Sequence, residues 1–272
     1  MNKIWIYVVI GVAFWLLHRM YGLYSYIFLL VGLAVLAYIR RAAVWTYFAR
    51  TAYFGKGDAK KGGKYFEKAY KTGEMSAECK IAYSSFCLRE NNFEKGKKLL
   101  NEVINSRYSK PNEKLNAKHN LAVLIWHEGD LDGAIDLLEI VHKQIPATNT
   151  YGTLGVLYLE RAKKTGNYEN ELAFLKEAYD YNESDKTIAD NLGELYYYME
   201  SFEDAKELYS KLLEKDIYTP VPYYNYGRVL KALGDNEGAK HNFEKALNLK
   251  FTAVLTITRD DVQKEIDELT EQ

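Results

Sequence analysis

The sequence contains few residues that break helices or crosslink a chain. Only 4 prolines occur among 272 residues, and long stretches contain neither proline nor glycine. This shortage favours an all-helical chain, because proline removes a backbone donor and clashes with the preceding helical turn. The 2 cysteines, Cys79 and Cys87, lie eight residues apart on one predicted helix. A separation of roughly 12 Å is too large for a disulfide, and this fits a reducing compartment.

Motifs of catalytic and metal sites are also missing. The sequence has no H-E-x-x-H, C-x-x-C, G-x-S-x-G or Walker A motif. Its 5 histidines are scattered, and His119 and His127 have no partner at the spacing that metal ligands need. We therefore expect no catalytic residue, no metal and no cofactor, and we interpret the protein as a non-enzyme.

Charge is distributed unevenly although the formal net charge is only -1. Residues 1–110 carry 18 Lys and Arg against 7 Asp and Glu, whereas residues 111–272 carry 18 against 30. The first part is therefore basic and the second part acidic. An acidic domain argues against nucleic acid as a partner, because phosphate binding requires a basic surface.

An apolar stretch of 36 residues near the start is interrupted only by tyrosines and by the ionisable side chains of His18 and Arg19. A single helix of this length would measure roughly 54 Å, far more than a hydrocarbon core of about 30 Å. We therefore predict two helices, about 4–17 and 21–39, that form a transmembrane hairpin over 1–42. The first covers only about 21 Å, so it uses its flanking residues, thins the bilayer or re-enters without crossing.

Basic residues flank this hairpin on one side, which predicts that both of its ends and the soluble part lie in the cytoplasm. A cleaved signal peptide has less support, because a second apolar segment follows the first. Since no glycine or proline occurs between 33 and 54, we expect the second helix to run straight into the next domain. We predict contact with lipid headgroups, or alternatively a solvated surface, for Arg40, Arg41, Lys60, Lys64, Lys68 and Lys71.

A two-residue turn recurs along the rest of the chain at nearly constant intervals. In GDLDGAIDLLEIVHKQIP (129–146), Gly-Asp precedes apolar residues at helical spacing. Similar pairs begin 34, 38, 37, 34 and 34 residues apart. A period in this range indicates stacked helical repeats. The first members of the six pairs are Gly57, Asn91, Gly129, Gly166, Glu200 and Gly234.

Each turn is followed by the pattern of a helix with one buried face. Apolar residues recur at helical spacing after a position that is small in five of six copies, which allows close helix contact. Each unit is therefore predicted to be helix A, a turn and helix B, and it buries its apolar face by stacking on a neighbour. The small position is occupied by Gly62, Gly96, Ala134, Glu171, Ala205 and Ala239.

These residues resemble the tetratricopeptide repeat (TPR), whose pattern has L-G and Y in helix A, and A, F or Y, and A in helix B. The resemblance implies an all-α chain in which a right-handed superhelical solenoid of about six helix-turn-helix repeats spans 43–253. A capping helix over 254–272 is predicted to begin with a capping box of Thr258 and Asp261. The predicted repeats are 43–76, 77–110, 115–147, 148–185, 186–219 and 220–253.

The sequence departs from the TPR pattern in the first and fourth repeats. Arg50 and Glu171 occupy positions that are small in the family. The fourth repeat also carries about one extra helical turn around RAKKTG (161–166). We expect local packing at these places to differ from that of the other repeats.

In the family, A helices line a concave groove, so the resemblance implies a binding site for a protein or peptide partner there. Aromatic side chains suit such a site, although individual rings can also fill space between helices. We find no run of Lys and Arg that would clamp a chaperone C-terminal tail, and we expect no such partner. The predicted groove residues are His119, Val123, Trp126, Val156, Leu159, Glu194, Tyr197, Tyr198, Tyr224 and Arg228.

Three functions fit this organisation. The first is a non-catalytic, membrane-anchored scaffold or adaptor that binds a protein or peptide partner in the groove of a cytoplasmic solenoid. The second places the solenoid outside the cytoplasm, in envelope assembly. The third is an accessory subunit of a membrane enzyme or transporter, in which the hairpin contacts another membrane protein.

Overall fold

The computed structural model describes residues 11–13, 15–16, 18–22, 24–252 and 255–270. The chain divides into two compact units, Met1–Tyr83 and Ser84–Gln272. Much of the predicted first membrane helix (4–17) lies outside the described residues, and those of its residues that are described are helical.

The first unit contains two short helices after an apolar one. Helix α1 spans Tyr24–Ile39 and helix α2 spans Arg41–Arg50. A π-helical turn over Thr51–Gly55 extends α2, and helix α3 spans Ala59–Lys71. Helix α4, Ala77–Arg89, begins in the first unit and ends in the second.

The expectation that the apolar helix runs straight into the next domain is wrong. The helical axis bends by 79° between Tyr26–Ile39 and Arg41–Gly55. Arg40 leaves helical geometry at the bend, with φ -99° and ψ 20°. Arg41 holds the two segments there, because its Nη1 donates to the Tyr38 carbonyl at 3.2 Å. Neither glycine nor proline is needed for this break.

Among the described residues, no single helix has the length and apolar composition to cross a bilayer. The pair Tyr26–Ile39 and Arg41–Gly55 meets these criteria only when its two bent halves are taken together.

The π-helical turn explains how Arg50 is accommodated at a position that is small in the family. A π-helical turn contains one residue more than an α-helical turn, so it shifts the register of the preceding helix. Ala49 is fully buried and its carbonyl oxygen faces Gly62, whereas Arg50 is exposed. The close contact with Gly62 is therefore made by Tyr53 Cβ and the Ala49 carbonyl, and not by Arg50.

In the second unit, each helix packs mainly on its neighbours in sequence, and A helices also contact the A helix of the next repeat. The described residues of the second unit form an all-α helical repeat solenoid. A helices are α6 Pro111–His127, α8 Thr148–Thr165, α10 Lys186–Tyr198 and α12 Val221–Ala232. B helices are α5 Phe93–Ile104, α7 Leu131–Gln144, α9 Glu169–Tyr181, α11 Phe202–Leu213 and α13 Asn236–Leu247. The boundaries of the predicted repeats themselves remain predictions.

All six predicted turns have the same backbone conformation at their first residue. This residue takes a positive φ of 68°, 56°, 98°, 72°, 60° and 82° in chain order, from Gly57 to Gly234. The second residue often caps helix B, since its side chain accepts the backbone N–H three residues later, as Asp130 does from Gly133 at 2.9 Å. The turn pair therefore ends helix A and starts helix B at a fixed angle.

Small residues permit close contact between the two helices of the later repeats. The hydroxyl-bearing ring of Tyr209 lies over Gly193, and the ring of Phe243 lies over Gly227. Both rings are fully buried. They take the place that a larger side chain would occupy on helix A.

Glu171 is accommodated by an ion pair. Its carboxylate is buried and accepts two hydrogen bonds from Arg161, at 3.1 Å from Nε and 2.8 Å from Nη2. Arg161 lies in the additional helical turn of α8 and also covers the ring of Tyr158 at 4.6 Å. The extra turn of the fourth repeat thus supplies the partner for the buried acid.

The chain ends its solenoid with helix α14, Arg259–Thr270. The predicted capping box is present, because Thr258 N donates to Asp261 Oδ2 at 2.7 Å and Asp261 N donates to Thr258 Oγ1 at 3.2 Å. Val262 is fully buried, and Ile266 and Leu269 pack on the same apolar cluster as Phe243. The apolar face of the last repeat is thereby covered.

We predict that Gly227→Ala lowers the free energy of unfolding by about 1–3 kcal/mol, because a Cβ there would lie 2.5 Å from Phe243 Cε1. The matched control is Gly152→Ala in α8, where the Cβ would lie 3.5 Å from Thr187 Cγ2. That change should be neutral or stabilising by up to about 1 kcal/mol. Denaturant unfolding followed by circular dichroism measures both, and equal effects would contradict the packing account.

We predict that Glu200→Gly stabilises the protein by about 1 kcal/mol, since Glu200 has a φ of 60° that strains a residue with a Cβ. The control is Glu203→Gly in the first turn of α11, which should destabilise the helix by up to about 1 kcal/mol. The midpoint of thermal unfolding should rise for the first variant and fall for the second. A fall in both would show that Glu200 carries no backbone strain.

Candidate functional site

An open groove of about 520 Å³ lies between the A helices of the second unit. We call it the A-helix groove. It is formed mainly by α6, α8 and α10, and the start of α12 and residues Leu255 and Thr256 complete its rim. Its position follows from the packing of the repeats, because B helices cover the other side of each A helix.

One wall of the A-helix groove is apolar. Val123 and Trp126 from α6 face Val156 and Leu159 from α8. Val123, Trp126 and Val156 are partly exposed, whereas Leu159 is only 2% exposed and belongs chiefly to the core. Trp126 also packs against the core cluster below it. The wall is therefore a fixed apolar surface with an aromatic ring at its edge.

A second wall, where α8 meets α10, carries charged side chains. Lys163 on α8 forms ion pairs with Glu194 on α10 at 2.7 Å and with Glu160 at 3.0 Å. Burial lowers the pKa of Lys163, but the two carboxylates outweigh this effect and raise it. Lys163 is therefore a charged ammonium group whose charge is already compensated within the protein.

Asp190 lies in the floor of the A-helix groove and is 9% exposed. Its Oδ1 accepts hydrogen bonds from the Tyr209 hydroxyl at 3.0 Å and from Asn225 Nδ2 at 3.2 Å. No donor within the described residues bonds to its Oδ2. Burial, followed by repulsion from Glu194, raises the pKa of Asp190 to about 7.

The structure brings five of the ten predicted groove residues together in the A-helix groove: Val123, Trp126, Val156, Leu159 and Glu194. A sixth, His119, lies beside it, where its Nε2 is 3.3 Å from Oγ1 of the groove residue Thr153. His119 Nδ1 is buried and has no hydrogen-bond partner among the described residues, and burial lowers the pKa of this histidine. His119 therefore stays neutral at physiological pH.

The other four predicted residues form a separate cluster next to the A-helix groove. The Arg228 guanidinium lies 4.1 Å from the ring centroid of Tyr197, 5.2 Å from that of Tyr198 and 5.5 Å from that of Tyr224. Tyr168 stacks on Tyr198 at 5.3 Å. These rings fix α10, α12 and α9 against each other, and their role in binding remains a prediction.

Sequence reasoning missed Asp190, Lys163 and the polar residues of α8 that line the groove, Asn149 and Thr153. The spacing could have placed Asp190 in the groove, because Asp190 precedes the predicted groove residue Glu194 by four residues and so lies on the same face of the helix. Lys163 lies on the extra turn of α8, for which the TPR pattern has no position.

The residues predicted to contact membrane lipids lie in the first unit. Lys60, Lys64, Lys68 and Lys71 are exposed on α3, and Lys68 Nζ lies 4.5 Å from the ring centroid of Trp45. Arg40 is exposed at the bend, whereas Arg41 pairs with Glu74 at 2.6 Å. Their contact with lipid remains a prediction.

One predicted repeat matches a known family of repeats. Residues 222–252 match the family model of the tetratricopeptide repeat. This match and the solved structures below support the TPR family. No curated protein matches the sequence.

Several solved structures share the fold. A thermophilic TPR protein of Thermus thermophilus is 14% identical, with a TM-score of 0.58 over 72% of this chain and 100% of its own. The Pseudomonas aeruginosa protein pilF is 12% identical, with a TM-score of 0.58 over 85% and 96%. A TPR protein from Parabacteroides merdae is 14% identical, with a TM-score of 0.50 over 85% and 98%. These structures are similar in fold only.

We predict that Asp190→Asn stabilises the protein above neutral pH. Because folding raises the pKa of Asp190 from 3.8 to about 7, the native state loses stability as pH rises between these values. Asparagine keeps an acceptor for Tyr209 and Asn225 but carries no charge. The variant should therefore gain up to about 4 kcal/mol near pH 8 and nothing near pH 4.

Denaturant unfolding at both pH values measures this difference. The exposed Glu244→Gln serves as the control and should leave the pH dependence unchanged. A gain that is the same at both pH values would show that the ionisation of Asp190 is not its cause.

Proposed function

We propose that the protein is a non-catalytic, membrane-anchored scaffold that binds a segment of another protein in the A-helix groove. The observation that carries the proposal is an open groove of about 520 Å³, with an apolar wall and a charged wall, on the A-helix side of a TPR-type solenoid. Such a groove offers burial for apolar side chains and directional polar contacts in the same place.

Trp126 is the expected anchor of this interaction. Its ring is partly exposed at the edge of the apolar wall and is held from below by the core. A rigid aromatic ring loses little conformational freedom on binding, which is why tryptophan is frequent among residues that dominate binding energy. Val123 and Val156 extend the apolar contact on either side.

Membrane anchoring is supported by the surface of α1. Every large apolar side chain of this helix is between 39% and 70% exposed. An apolar helix exposed on all sides requires a lipid or protein environment. The basic residues that follow it favour a cytoplasmic location for the second unit. The same surface suits contact with another membrane protein, as in an accessory subunit, and envelope assembly would require the opposite orientation.

We predict that a photoreactive residue at Val123 crosslinks to a distinct polypeptide in cells that make the full chain. The same residue at Glu244, which is exposed on the B helix α13, should not give this adduct. Adding Trp126→Ala to the Val123 variant should remove the adduct, because the anchor is lost. Identical adducts at both positions, or an adduct indifferent to Trp126, would contradict the proposed groove.

We predict that a cysteine at Glu214, in a background without Cys79 and Cys87, is protected from an impermeant thiol reagent until cells are permeabilised. Glu214 is exposed in the second unit, so accessibility depends on the compartment alone. Labelling of intact cells would place the second unit outside the cytoplasm and favour envelope assembly.

A further inference from the structure

We propose that the A-helix groove selects protein segments in which a lysine or arginine neighbours an apolar side chain. The basic group would bind at Asp190 and Glu194, and the apolar group would pack on Trp126, Val123 and Val156. This inference rests on the proposed function and specifies the chemistry of the partner.

The side chains that line the A-helix groove are mostly acidic among those that carry charge. Four carboxylates, those of Glu160, Asp185, Asp190 and Glu194, line it against two ammonium groups. Both ammonium groups are already engaged, since Lys163 pairs with two glutamates and Lys186 donates to the backbone carbonyl of Asp216. The lining of the groove therefore contains more acidic than basic groups.

The carboxylate of Asp190 is buried in the floor of the groove. Among the described residues, hydrogen bonds reach only its Oδ1, from Tyr209 and Asn225, and an asparagine could accept both of them. Burial and repulsion from Glu194 make this carboxylate unfavourable, and Lys163 offsets only part of that cost. A basic group of a partner would compensate the remaining cost, which explains why a carboxylate stands at position 190.

The groups around Asp190 leave its groove side open to such a partner. Glu194 lies one turn further on α10, Lys163 approaches from α8, and Tyr209 and Asn225 close the other sides from α11 and α12. The Glu194 side chain is 12% exposed. It forms an ion pair with Lys163 and accepts a hydrogen bond from Asn225. An incoming guanidinium or ammonium group would therefore meet two carboxylates and a single, already paired, ammonium group.

The two walls fit the two parts of a basic side chain. The aliphatic stem of lysine or arginine packs well on apolar surface while its charged end reaches a polar group. Here the apolar residues Val156 and Leu159 lie on α8, and Asp190 and Glu194 lie on the neighbouring helix α10, where Lys163 of α8 meets Glu194. Arginine should be favoured over lysine, because its planar group donates to two carboxylate oxygens at once.

The test is selection from random-sequence peptides displayed on phage, with the immobilised full-length protein in detergent micelles. Peptides retained by the wild-type protein should be enriched in arginine and lysine next to apolar residues. A synthetic peptide from this selection should bind the double variant Asp190→Asn, Glu194→Gln about tenfold more weakly or worse. The same peptide with citrulline in place of arginine should lose affinity for the wild type to a similar extent.

The matched control is Glu214→Gln with Glu244→Gln, which changes the net charge equally at exposed positions outside the groove. It should bind as the wild type does. Retained peptides that depend on Trp126 but show no excess of basic residues would overturn this inference alone. An equal loss in the control pair would also overturn it, since net charge would then explain the binding. Retained peptides that do not depend on Trp126 would overturn the proposed function as well.

Discussion

Close contact between the two helices of each repeat is the constraint on which the rest of the structure depends. Where helix A carries glycine, as at Gly193 and Gly227, an aromatic ring of helix B occupies the space of the missing side chain. This contact fixes which face of helix A is buried. The opposite faces of consecutive A helices are then left to form one continuous surface, and the A-helix groove lies on it.

The groove contains a buried carboxylate, that of Asp190, which the stability of the fold does not require. A core position between α10, α11 and α12 holds the carboxylate of Asp190, although a neutral amide could make its hydrogen bonds. Buried carboxylates with raised pKa values often occur at functional sites. The contrast with Glu171 is informative, because that buried acid has its own arginine partner and lies outside the groove. Stability is thus given up at the place where a partner is expected.

Much of the repeat could be predicted from the sequence, because its turns and small residues are local signals at a fixed period. The six predicted turns share a positive φ at their first residue, and the predicted capping box of the last helix is present. The bend at Arg40 and the π-helical turn were not predictable, since neither has a glycine or proline signature. Five of the ten residues that the resemblance to the TPR family placed in the groove line the A-helix groove. Asp190 was missed because its burial depends on residues from three helices.

The central claim is that the A-helix groove binds a basic segment of another protein, and hydroxyl-radical footprinting tests it most directly. A peptide selected by the full-length protein would be added at saturating concentration, and oxidation of Trp126 would be compared with that of Tyr108, which is 80% exposed outside the groove. We expect Trp126 to become protected while the oxidation of Tyr108 does not change. Unchanged oxidation of Trp126 in the saturated complex would contradict it.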